Sequence, residues 1–141
     1  MRLVFERLWM DTDGQFGLQV SLEGDGFGAT HEANAFADDL QTFGKNLQRF
    51  PQTISDEVAW KYESIDDKSR DWLILRAYVY DGVGHTALEM AMNKSGTRHV
   101  RATSQFSLPV EAAALNSLGK RIEDWAVDNQ EPLVFETGPL R

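Results

Sequence analysis

The sequence predicts an α+β fold: an antiparallel sheet of about seven strands with two helices on one face. Three observations lead there. Residues 40–50 and 115–125 each carry apolar side chains at steps of three, four and three, which is one stripe of an α-helix. Between them run short alternating segments separated by glycine and aspartate turns, the pattern of half-buried strands. The order strand–strand–strand–helix also occurs twice, with one extra strand between.

The two helices align residue by residue at an offset of 75. Leu40 matches Leu115, Phe43 matches Leu118, Gly44 matches Gly119, Lys45 matches Lys120, Leu47 matches Ile122 and Phe50 matches Trp125. Glycine inside a helix costs about 1 kcal/mol relative to alanine. Its recurrence on the flank of both stripes points to close packing, helix against helix. The predicted core is Leu40, Phe43, Leu47, Leu115, Leu118, Ile122 and Trp125. At an offset of 70, Asp11 meets Asp81, Gly14 meets Gly84, and Leu18, Val20 and Leu22 meet Leu88, Met90 and Met92. An internal duplication of residues 3–50 and 73–125 is therefore expected, within one domain covering 1–141.

In chain order, residues 3–10 read as a strand and Asp11–Gly14 as a turn. Residues 17–23 alternate cleanly, and Gly24-Asp25-Gly26 makes a hairpin to a third strand at 27–32. Asn34 is a candidate cap for the first helix, Asp38, Asp39, Lys45 and Arg49 complement its dipole, and Pro51 ends it. Residues 58–63 form the extra strand, with Val58, Trp60 and Tyr62 on one side, before a charged loop at 64–71. Residues 72–80 are the strongest strand, followed by strands at 86–93 and 98–106. Ser107 or Leu108 opens the second helix, with Pro109 in its first turn. The tail, 128–141, holds two prolines and is expected to be loose.

The chain has no cysteine, which excludes disulfides and thiolate chemistry. The first residues contain Glu6 and Arg7 and no apolar core of signal-peptide length, and no run suits a membrane span, so a cytoplasmic location is expected. Net charge is -8, against a nucleic-acid partner and in favour of a basic protein. His31, His85 and His99 lie apart with no ligand spacing, Gly24, Gly26 and Gly28 are not a dinucleotide fingerprint, and Asp66-Asp67 is an adjacent pair whose side chains diverge. No catalytic residue, metal or cofactor is expected.

The candidate site is the side of strand 72–80 opposite Leu73, Leu75, Ala77 and Val79. Arg76, Tyr78 and Tyr80 lie there, and tyrosine, tryptophan and arginine are the residue types that dominate interface energetics. The offset of 70 places Glu6 at the position of Arg76 and Met10 at that of Tyr80, so Glu6 and Arg76 are expected to pair across a pseudo-twofold axis. Trp60 and Tyr62 complete the candidate partner-binding set.

Gly26-Phe27-Gly28-Ala29 before the helix, Asp81-Gly82-Val83-Gly84-His85 leading into an alternating strand, then a final strand and helix together resemble small bacterial proteins grouped with WapI-type immunity proteins of contact-dependent toxin systems. The resemblance covers most of 16–127 and carries no family site residues onto this chain. It implies a non-catalytic protein that binds a toxin or another partner. The expected function is thus a protein-binding domain, in its specific form an immunity-type inhibitor, whose partner is a basic toxin domain or a second copy of the chain. The alternative is a small-molecule-binding or enzymatic domain using the same aromatic face. A narrow concavity with converging polar groups would favour the latter, and a broad flat patch the former.

Overall fold

The computed structural model describes residues 1–64, 70–97 and 100–138. Asp66-Asp67, His99 and Arg98 at the expected start of the last strand lie outside the described residues. The element order is β1 (Arg2–Met10), β2 (Gln15–Gly24), β3 (Phe27–Phe36), α1 (Ala37–Gln48), β4 (Glu57–Glu63), β5 (Trp72–Val79), β6 (Thr86–Thr97), β7 (Val100–Pro109), α2 (Ala112–Trp125) and β8 (Leu133–Glu136).

The α+β class holds, with antiparallel strands and two helices. The single sheet of about seven strands does not. Among the described residues, eight strands form two sheets of four, in the orders β3-β2-β1-β8 and β4-β5-β6-β7. The helices redirect the chain. After α1 it emerges beside β5, and after α2 it returns beside β1. Each sheet then turns its apolar face into one shared cluster, so neither helix has to cover a wide sheet alone.

Two further expectations are corrected by this topology. Residues 58–63 are not an insertion between two halves but the edge strand β4 of the second sheet. The tail is not loose, because Leu133–Glu136 pairs with Arg2–Phe5 of β1. Leu133 and Phe135 point into the core while Val134 and Glu136 face solvent. That alternation outweighs the flanking Pro132. Further bonds fix the segment: the Trp125 indole donates to the Glu131 carbonyl at 2.7 Å and Arg121 to that of Val134 at 2.7 Å.

Element ends also moved. Asn34 lies in β3 and does not cap α1, whose N-cap is Phe36 with no side-chain cap. Asp38 and Asp39 in the first turn and Lys45 in the last still oppose the helix dipole as expected. β7 runs to Pro109 because Leu108 is buried opposite Leu88, so α2 begins only at Ala112.

All seven predicted helix residues are buried. The glycines explain how the helices meet. A Cβ on Gly44 would stand 2.5 Å from the Gly119 carbonyl oxygen, and one on Gly119 would stand 2.6 Å from that of Gly44. Backbone touches backbone, which only glycine permits. Asn116 of α2 then reaches the open end of α1, donating to the carbonyls of Leu47 and Phe50 at 2.7 Å each.

The turns follow their composition. Asp25 and Gly26 have φ of 53° and 83°, the left-handed pair that a two-residue hairpin requires. Asp11 Oδ1 accepts from the amides of Asp13 and Gln15, and Asp81 Oδ1 from those of Val83 and His85. The two Asp-x-x-Gly loops thus close in the same way.

Candidate partner-binding face

Directly opposed residues on antiparallel strands share a face. The register places Arg76 between Ala59 and Glu89, with Ser107 beyond Glu89. Tyr78 lies between Glu57 and Ala87, Ile74 between Lys61 and Ala91, and Trp72 between Glu63 and Asn93. Leu73, Leu75 and Ala77, on the other side, are buried in the core cluster. Arg76 and Tyr78 therefore point away from the core, as strand alternation demanded.

The Arg76 side chain is tightly held. Its Nη1 donates to Glu57 Oε2 at 2.7 Å and its Nε to Glu89 Oε1 at 3.0 Å. Its guanidinium carbon lies 4.2 Å from the centre of the Tyr78 ring, a cation–π arrangement. The Tyr78 hydroxyl donates to Ser107 Oγ at 2.7 Å, and Gln105 Nε2 to Glu89 Oε2 at 3.1 Å. Side chains from four strands are thus tied into one network across the sheet.

Glu89 is 8% exposed, and charge in such a place needs compensation. Burial pushes its carboxyl up, but the hydrogen bonds from Arg76 and Gln105, with the charge of Arg76, outweigh burial and hold it below the ordinary value. The hydrogen bond to Glu89 in turn raises the Arg76 guanidinium, aided by Glu57 and against a burial effect of opposite sign. Tyr80 follows the end of β5, 48% exposed, and stacks on the His85 ring with centroids 5.9 Å apart.

The remaining candidates are elsewhere. Glu6 lies on β1 of the first sheet, opposite Gln19, while Arg76 takes its carboxylates from Glu57 and Glu89. The expected Glu6–Arg76 pair is therefore not formed, because β1 and β5 belong to different sheets. Met10 ends β1 opposite buried Phe16, is 52% exposed, and belongs to the other sheet from Arg76. Trp60 and Tyr62 sit opposite Leu75 and Leu73, so they face inward: Trp60 is buried and Tyr62 packs against the core. Trp72 and Ile74 share the side of β5 where strand alternation put them, and the structure adds Glu57, Glu89 and Ser107 from the neighbouring strands. Glu89 was legible: counting back equally from the turn at Asp81–Gly84 places it opposite Arg76.

Among the described residues, open grooves include one of about 660 Å³ at Met1, Glu23, Phe27 and Glu136, and two of about 360 and 460 Å³ between α1 and β4, which reach Trp60 and Glu57 respectively. Arg76, Tyr78 and Tyr80 line none of these three grooves. Among the described residues no group of three or more histidines and carboxylates is placed to hold a metal, and no helix is long and apolar enough to cross a membrane.

No family model and no curated protein matches the sequence. Among solved structures, a plant transcriptional regulator, PBF-2, is similar over 90% of this chain and 74% of its own, with 10% identity and a TM-score of 0.46. At that level the similarity carries no argument about function.

Proposed function

We propose that the chain is a non-catalytic protein-binding domain, an immunity-type inhibitor acting in the cytoplasm on a basic toxin domain. Its contact surface is the outer face of β4–β7, centred on Arg76 and Tyr78 and extended by Trp72, Ile74 and Tyr80. One observation carries this reading: the Arg76 guanidinium is already fixed on the Tyr78 ring by two carboxylates. A side chain immobilised before contact loses little rotamer entropy on binding, which is what makes an arginine or a tyrosine an effective anchor. A net charge of -8 adds long-range attraction for a basic partner. The resemblance of the turn and helix motifs to WapI-type immunity proteins supports the same class.

The proposal includes an internal duplication, strand–strand–strand–helix–strand, with the last strand of each unit exchanged into the other's sheet. The mirrored sheet orders, the reciprocal Gly44–Gly119 contact and the matching Asp11 and Asp81 loops support it.

The test is co-expression with the product of the adjacent reading frame. The wild-type chain should suppress its toxicity and bind it, and Tyr78→Ala should weaken binding by about tenfold or more, the scale of a hot spot. Equal affinity for both at unchanged stability would remove this face from the reading.

A further inference from the structure

An open strand edge invites pairing, and natural sheets guard their edges with charge, proline, shortness or cover. The four edges of this protein are guarded unequally. β8 is only four residues long. β4 carries Glu57, Lys61 and Glu63. β3 packs against β4, β5 and β6 of the other sheet. β7 is the least protected, with Arg101 its single charged residue. It is ten residues long, pairs among the described residues with β6 alone, and holds no proline before Pro109. Arg101, Ala102, Thr103, Gln105 and Ser107 are all exposed along it.

Its charge also sets it apart. The 22 acidic residues of the chain leave 90–110 entirely free of aspartate and glutamate. The net charge of -8 opposes contact between copies at the acidic surfaces, but no carboxylate of this segment resists it here. An antiparallel pairing of β7 with itself is also free of like-charge clashes. With the twofold axis at any residue from Ala102 to Gln105, Arg101 falls opposite an uncharged residue.

We infer that β7 is a self-association edge, on which a second copy of this chain adds its own β7 antiparallel. The axis stands perpendicular to the sheet, so the two second sheets become one of eight strands. Both Arg76–Tyr78 rows then lie on the same side, and the dimer presents two copies of the proposed binding face to one partner surface. Edge pairing does not depend on what that face binds.

The experiment measures mass in solution and the position of contact. Light scattering over a concentration series should move from the monomer mass of 15.9 kDa towards twice that value. Because the chain has no cysteine, single substitutions report contact cleanly. Under mild oxidation, Ala102→Cys, Thr103→Cys, Ser104→Cys and Gln105→Cys should give disulfide dimers that peak at one or two positions. Only residues at or beside the twofold axis face their own copies within disulfide reach. Lys45→Cys, exposed on α1, should remain monomeric. A mass that stays at one chain at every concentration overturns the inference, as does cross-linking on β7 no stronger than at Lys45→Cys. A monomer that still binds its partner would refute this edge and leave the proposed function standing.

Discussion

The contact between α1 and α2 and the outer face of β5 are built by opposite means. At Gly44 and Gly119 the chain has removed side chains so that two backbones can touch. At Arg76 it has added long side chains and tied them together with carboxylates, a ring and a hydroxyl. The first arrangement is apolar and sealed, and its value is stability. The second leaves Tyr78 and Ile74 half exposed on a face that the core does not need. The lesson is that substitutions in the two regions should separate: those at the helix contact should change folding, and those at the outer face should change binding.

The sharpest test of the first half is Leu47→Ala. Leu47 is fully buried and lies against Gly119, so the cavity should cost about 2–5 kcal/mol in chemical denaturation. A loss below about half a unit would mean the helices are not packed through this stripe.

Gly44→Ala comes next, and its sign decides the glycine argument. Alanine is the better helix former by about 1 kcal/mol, so an ordinary helical glycine would be stabilised by the change. Here the new methyl meets the Gly119 carbonyl oxygen and the Glu123 amide, both backbone. Separation of the helices should cost about 1–3 kcal/mol net. Gly82→Ala is the control, since nothing lies within 4 Å of its added carbon. A Gly44→Ala protein as stable as wild type would remove the close-packing explanation.

Arg76→Ala blurs the comparison in an instructive way. An exposed binding residue should be removable without harm, but Arg76 also neutralises buried Glu89. Its deletion should weaken partner binding and also cost roughly 1–3 kcal/mol, because a buried acceptor loses its donor. That cost sits at the low end, since the Arg76 side chain is 30% exposed and solvent screens what remains. The double variant Arg76→Ala with Glu89→Gln should recover most of the stability and none of the binding. Tyr78→Ala is the cleaner probe, with a melting point close to wild type.

The helix contact was readable in the sequence and the outer face only in part, for a physical reason. Periodicity and paired glycines are local patterns, so the stripe of Leu40, Phe43 and Leu47 could be read without knowing the topology. The side of β5 that bears Arg76 was equally local. Its partners were not, because the membership of β1, β4 and β8 in one sheet or the other depends on where the chain travels after each helix. A pattern of alternation says which face a residue takes and nothing about which sheet. That is why Glu6 was matched to the wrong strand and why Trp60, opposite Leu75, turned out to be core. The four residues of β8 were missed because a proline on either side hid their alternation.

The smallest expected effect tests whether the core is as apolar as the comparison assumes. His31 is 4% exposed on β3, opposite Val20, and its Nε2 has no hydrogen-bond partner among the described residues. Burial pushes its imidazolium below the ordinary value of 6.5; the charges of Asp71 and Glu32 oppose that and Lys94 adds to it. The neutral ring is therefore the folded form, and the unfolded chain takes up the proton first. The stability that follows is complete above about pH 6.5 and is lost as the pH falls below it. Glu89 acts later, since its lowered carboxyl contributes above about pH 4.5 and loses that contribution only at greater acidity. Melting temperature should therefore fall in two stages on acidification. His31→Gln should flatten the first stage, whatever its own cost at neutral pH, and leave the second in place. Parallel curves for wild type and variant between pH 7 and 5 would mean that another group controls the acid limb.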